Sequence, residues 1–389
     1  MIDFLELRCD FKSSQSMGVK RWTDVDLKKI GVKLEQSIDK DGEVYHTRHP
    51  WDSIPSSYEG MAFKICDYRD TQLDDFYIIL KCSPAKIMLG HNLFGSSDFR
   101  DCFFAMVELF TEAYPQVMAE LDLKTWYLNH IDITYFSRAD SKHEATTFIN
   151  ALHCVSYGQV KSRTGYNGTA YFGKKKSRLK KIKVYSKFDE LLASVEKLKN
   201  KPNCKKILDD VYTPELLSWS ERMVRWELSL YHRYLERRGI DCNVIELLKN
   251  GNLSEKKLIK LWQEGMKDLF KAFEGREMKT INDDDIRENL RAKYSKVTSK
   301  GNITYTAADN AFRTFKLIKT DGWLNAQRLM SSKSFYRHVS MLHECGLSRA
   351  ALQNMTGTKS NVIPFTRFIA VEFGEQFPPW FDQSILKIA

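Results

Sequence analysis

The sequence predicts an α+β protein in two parts, strands and helices mixed over residues 1–275 and a mostly helical part over 276–389. Three observations predict it. Several runs alternate apolar and polar residues with the period of two that a half-buried strand requires. Between them lie stretches whose apolar residues recur at helical spacing. Beyond Gly239 the alternating runs stop, and after Met278 the chain reads as short helices punctuated by Gly and Ser.

Phe4 to Phe11 alternates as a strand, as does Phe76 to Lys81, and a Gly-bounded loop, Ser83 to Gly95, follows. Ser97 to Ala119 reads as a helix with Phe103, Met106, Val107, Phe110 and Tyr114 on one buried stripe. Asn129 to Ser137 reads as a strand, and Asp140 to Val155 as a helix capped at Asp140 or Ser141. Two short β-type runs, beginning at Thr169 and Ile182, flank a turn carrying Lys174, Lys175, Lys176, Arg178, Lys180 and Lys181. Phe188 to Leu198 is an amphipathic helix, and Pro214 suits the first turn of another. Val224 to Tyr231 alternates strictly, with Val224, Trp226, Leu228 and Leu230 opposite Arg225, Glu227 and Ser229. Ser254 to Phe273 is a long helical pattern, and the break at Glu274 and Gly275 marks the domain boundary. Ser334 to Asn354 reads as helix, Gly-centred turn, helix: either a helix-turn-helix for a major groove or an ordinary helical hairpin.

The chain of 389 residues is long enough for two or three domains, and its net charge of +10 favours an acidic polymer as partner. The eight cysteines are scattered without a CxxC pair, which excludes the usual zinc spacings and suits a reducing compartment. Most are expected to be buried as small apolar residues. No apolar run approaches the ~20 residues needed to span a bilayer. The opening residues lack a secretory signal, so the expected location is the cytoplasm where the protein is made. No GxxxxGK[ST] loop occurs, so any strand-opening motor is expected to be another protein.

Three segments carry the chemistry. His130, Asp132 and Thr134 share one face of a strand, Arg225 and Glu227 share the polar face of another, and Tyr185 alternates with Lys183 and Lys187 on a third. Adjacent in one antiparallel sheet, they would bring two carboxylates, an imidazole, lysines and a phenol together. Carboxylates suit Mg²⁺ or Mn²⁺, and imidazole adds affinity for Mn²⁺. Neighbouring cations would favour the phenolate of Tyr185, making it a candidate nucleophile on phosphorus. The basic turn, with Lys183 and Arg225, would hold phosphate. Each residue also has a plainer reading. Tyr185 among lysines is a solvated cross-strand partner, Asp132 and Glu227 pair with Arg225 or a lysine, His130 caps a strand edge, His91 hydrogen-bonds its turn, and the lysine run is a solvated loop.

Taken together, the opening Met1 to Arg8, the Ser83 to Gly95 block, His130 to Thr134, Val184 to Lys187, Val224 to Glu227, Phe270 to Gly275 and the closing Leu386 to Ala389 resemble one family end to end. It is the gene II replication initiator family of filamentous bacteriophages, site-specific endonucleases that start rolling-circle replication. The resemblance implies a five-stranded central antiparallel sheet of the rolling-circle-initiator (HUH-like) kind. It also implies Tyr185 as nucleophile and Lys187 two residues on, stabilising the phenolate or the charge on phosphorus. Asp132 stands where a strict histidine–hydrophobic–histidine strand has its second histidine, and becomes a metal ligand with Glu227. His130 and His91 are further candidates for Mg²⁺ or Mn²⁺. The implied partners are supercoiled double-stranded and single-stranded DNA, a host replicative helicase and polymerase, and, as an open question, further copies on origin DNA. An internal start at Met278 would yield a separate single-strand-binding product, like the family's gene X protein. A plasmid initiator or relaxase of the same chemistry, a non-catalytic DNA-binding regulator, and a water-using nuclease are the alternatives.

Overall fold

The computed structural model describes residues 1–387 apart from 13, 17–18, 22–26, 28, 55–59, 68–75, 153–155, 158–159, 162, 165–168, 175, 201–204, 273–282, 300, 346, 348–351, 353–367 and 369. Among the described residues nine strands form one sheet. In chain order they are β1 (Ile2–Asp10), β2 (Asp52–Ile54), β3 (Met61–Asp67), β4 (Phe76–Cys82), β5 (Tyr127–Arg138), β6 (Arg163–Thr164), β7 (Thr169–Phe172), β8 (Lys180–Ser186) and β9 (Met223–Tyr231). The spatial order is β6-β7-β8-β9-β5-β1-β4-β3-β2, with every neighbouring pair antiparallel. The sheet is therefore antiparallel as expected but wider than five strands. Strands as short as Asp52–Ile54 and Arg163–Thr164 carry too few residues to show a period.

The alternating segments fold as read. β5, β8 and β9 cover the Asn129, Ile182 and Val224 runs, and β7 and β8 pair as the hairpin around the basic turn. The helical stripe after Ser97 is divided: α1 (Pro84–Leu89) precedes it, and the stripe becomes α2 (Phe99–Ala113) and a one-turn helix at Pro115–Ala119. Pro115 cannot donate the backbone bond that would continue α2. The loop reading of Ser83 to Gly95 thus gives way to α1, which Gly90 ends in the left-handed region at φ +78°. The later helices are α3 (Lys142–Leu152), α4 (Lys187–Lys199) and α5 (Glu255–Lys271).

α5 lays Leu258, Leu261, Trp262, Gly265, Met266 and Leu269 against the sheet, where the Trp262 indole N–H donates to the Trp226 carbonyl at 3.3 Å. Gly265 permits this approach: a Cβ there would sit 2.3 Å from Cδ2 of the fully buried Leu228. Gly265→Ala is accordingly expected to destabilise by about 1–2 kcal/mol, overpacking outweighing the helix-propensity gain. Thermal melting should register a drop of a few degrees.

A second hydrophobic core, from Ile286 to Leu352, is built from α6 (Asp283–Tyr294), α7 (Thr306–Asp321), α8 (Trp323–Arg328) and α9 (Ser332–Glu344). The expected boundary at Gly275, with Met278, lies outside the described residues, as do the turn and most of the second helix expected after α9. The chain from 370 onward returns to the sheet. Phe377 and Phe381 pack beside Phe94, and the Gln376 side chain bonds both the N–H and the carbonyl of Phe136. The cysteines 9, 66, 82, 102 and 242 are buried free thiols. No helix among the described residues is long and apolar enough to cross a membrane.

Candidate active site

The three singled-out segments lie side by side as β8, β9 and β5. Lys183 faces Glu227, which faces Thr134; Tyr185 faces Arg225; Ser229 faces Asp132. A cleft of about 380 Å³ opens over this face, lined among others by Asp3, Lys81, Lys86, Asn92, Asp132, Lys183, Tyr185 and Glu227. A second cleft of about 510 Å³ shares Lys183, Tyr185 and Glu227 with the first, so the tyrosine stands on the rim between them.

The Tyr185 hydroxyl donates to Glu227 Oε2 at 3.4 Å, and Lys183 Nζ donates to the other Glu227 oxygen. Burial and the Glu227 carboxylate hold the phenol well above its ordinary pKa, and Arg225 opposes them without prevailing. The phenolate expected from neighbouring cations is therefore not the resting form. Burial and the Asp132 charge also raise the Glu227 carboxyl above the usual carboxylate range, against the pull of Lys183.

Asp132 is 6 % exposed, and its Oδ1 lies 2.8 Å from His130 Nε2. Beyond this contact neither atom has a hydrogen-bond partner among the described residues, so two buried atoms of metal-ligand type meet with coordinating capacity left over. Burial would raise the Asp132 pKa, but His130 and Lys183 hold it below the ordinary value. A carboxylate and an imidazole suit Mg²⁺ or Mn²⁺, which complete their shells with water and phosphate oxygens. No group of three or more His, Cys, Asp or Glu side chains converges as a closed cage among the described residues. Glu227, expected as the partner ligand, is instead spoken for by its cross-strand neighbour Lys183 and by Tyr185.

Other expectations are corrected. Lys187 opens α4 and is turned inward, 1 % exposed, donating to Asn92 Oδ1 at 2.6 Å and to Glu190; burial pushes it down to about 8. The strand ends at Ser186, so period-two reasoning no longer applies there, and Lys187 does not line the cleft. His91 is not a lining residue either. Its Nδ1 accepts the Leu93 N–H at 3.2 Å, and burial with Lys187 and Arg225 lowers its pKa to about 3. Arg225 is 2 % exposed and donates to the Asn92 carbonyl, so it fastens a loop and does not reach phosphate. Lys180 bonds the Gly265 carbonyl at 2.9 Å, and Lys181 the Tyr231 hydroxyl at 2.7 Å. Lys174, Lys176 and Arg178 are exposed in the turn, while Lys175 lies outside the described residues.

Sequence reasoning missed Asp3. By parity it belongs with Leu5 and Leu7 on the apolar face, but the register slips between Ile2 and Phe4 where they pair with β5. That bulge turns Asp3 to the cleft, where Asn92 Nδ2 donates to it at 2.8 Å. An acid at a core-parity position was the one available signal. Lys81, Lys86 and Asn92 were also missed, for their roles arise only when distant segments meet.

The sheet gathers a tyrosine, carboxylates and lysines at one cleft, and the comparisons with known proteins show the family that this chain belongs to. Residues 1–252 match the N-terminal family model of the phage replication-associated protein encoded by gene II, and residues 297–387 match the corresponding C-terminal model. The replication-associated protein of Enterobacteria phage M13 is 33 % identical over the full length of both chains. That of Salmonella phage IKe is 30 % identical over 99 % of this chain and 97 % of its own. That of Enterobacteria phage I2-2 is 25 % identical over 90 % of this chain and 92 % of its own. The chain belongs to this replication-associated protein family, the gene II replication initiators of filamentous phages.

Proposed function

We propose that this protein nicks and reseals one DNA strand by transesterification through Tyr185, at the viral-strand origin of circular phage DNA, so beginning and ending rolling-circle replication. The observation that carries the reading is the Tyr185 hydroxyl hydrogen-bonded to Glu227 on the rim of a cleft that also holds Asp3, Asp132 and Lys183. Tyr185 Oη attacks phosphorus in line and passes its proton to Glu227, whose raised pKa suits a base working near neutrality. The Oη–P bond forms as the P–O3′ bond breaks, and the departing O3′ takes up a proton. Attack by a 3′-hydroxyl, with Glu227 returning the proton to Tyr185, reseals the strand without ATP. Lys183, Lys81 and Lys86 line the cleft as countercharges for phosphate. A divalent cation held by Asp132 and His130 would supply charge neutralisation and alignment at the scissile phosphate. A host helicase and polymerase complete the replication step.

The test is incubation with supercoiled origin DNA and Mg²⁺, then denaturation in SDS. Nicked circles bearing covalently attached protein are expected. Nicking without an adduct would point to a water nucleophile, and binding without nicking to a regulator. The nicking rate should rise with pH toward about 8 as Glu227 loses its proton, and Glu227→Gln should remove that rising limb along with most of the rate. Replacing Lys174, Lys176 and Arg178 together by Ala should lower the slope of log K against log salt by up to about 2.7, equally for origin and non-origin DNA.

A further inference from the structure

We propose that Tyr231 positions His130 as a metal ligand, an inference that rests on the cation site read above at Asp132 and His130. Tyr231 and His130 are direct cross-strand partners on β9 and β5, and their rings stack with centroids 4.5 Å apart at an interplanar angle of 7°. The Phe4 ring, tilted by 52°, lies 5.3 Å from the imidazole. A ligating histidine is ordinarily oriented by a hydrogen bond from its second ring nitrogen to a carboxylate or carbonyl. Among the described residues no hydrogen bond holds the second ring nitrogen, Nδ1, of His130, so the flat contact with Tyr231 fixes the plane of the ring while Nε2 meets Asp132. Nε2 is thereby aimed at Asp132 Oδ1, 2.8 Å away.

Tyr231 is itself held. Its hydroxyl accepts a bond from Lys181 Nζ at 2.7 Å, and the same ammonium lies 5.0 Å from the tyrosine ring centroid. Lys181 thus belongs to the support of the site, which accounts for a basic residue that the sequence assigned to DNA. The ring face carries the main effect, because the stack fixes the imidazole plane. The hydroxyl bond only restrains the tyrosine further.

The test is Mn²⁺ binding to the full chain without DNA, measured as loss of the free-ion EPR signal. Wild type should bind, and Tyr231→Phe should bind within about threefold of it, since the face remains. Tyr231→Val, a residue at home in strands, should bind about 10–100-fold more weakly. In a His130→Ala background Tyr231→Val should change nothing further. Melting curves without metal should place the Tyr231 variants within a few degrees of wild type. Equal binding by wild type and Tyr231→Val would overturn the inference while leaving the cation site standing. So would a loss in Tyr231→Phe as large as in Tyr231→Val, or a further loss in the His130→Ala background. Absence of Mn²⁺ binding by wild type, or binding unaffected by Asp132→Asn, would remove the cation site itself and the inference with it.

Discussion

Tyr185→Phe is expected to bind origin DNA as wild type does, and to lose nicking, closing and the SDS-stable adduct together. The substitution removes one oxygen. The aromatic ring stays over the sheet between Thr169 and Arg225, its neighbours in register, so the fold keeps its packing. Glu227 loses a 3.4 Å hydrogen bond but retains Lys183. The stability cost should therefore be about 1 kcal/mol. The rate should fall by at least about 10⁴-fold, because the oxygen removed is the one that attacks phosphorus and carries the ester. Gel shift on origin DNA and a denaturing gel of the reaction separate the two effects. An adduct of normal abundance in Tyr185→Phe would take this residue out of the mechanism.

The second large effect belongs to Asp132. Asp132→Asn keeps the shape and changes an acceptor-only carboxylate into an amide that binds cations poorly. The carboxylate is buried yet kept charged by His130, 2.8 Å from its Oδ1, and by Lys183, so the amide loses these interactions as well as affinity for a cation. Nicking should drop by about 10²–10⁴-fold at fixed Mg²⁺, as befits loss of a charge-neutralising site, with partial recovery at high Mn²⁺. DNA binding should persist, since the basic turn is untouched. Titrating each metal against nicking rate measures this. Full activity of Asp132→Asn at low Mg²⁺ would show that the carboxylate holds no cation.

The polar faces of β5, β8 and β9 were legible because strict alternation along each strand fixes which side chains share a side. That pattern brought Asp132, Glu227, Lys183 and Tyr185 to one place before any coordinates. It failed where alternation fails. Lys187 sits one residue past the end of β8, where the chain turns into α4 and carries the lysine inward. Asp3 sits in a bulge that period-two reading cannot see. Arg225 was rightly placed on the polar face, but that face is covered by the loop around Asn92, and burial turned a supposed phosphate contact into a fastening. The depth of the cleft was illegible for the same reason. Neighbouring cations alone predicted a phenolate, whereas burial, a property of the assembled sheet, reverses the sign. The helical C-terminal part was readable as helices, yet the return of Phe377 and Phe381 to the sheet left no periodic trace.

The most direct measurement is tryptic mass spectrometry of the protein–DNA adduct after nuclease trimming. The account predicts that the nucleotide mass remains on the peptide Val184 to Lys187, attached through phosphate to Tyr185 at the 5′ end of the cut strand. A nucleotide carried on any other peptide, or none carried at all while nicking proceeds, would contradict it.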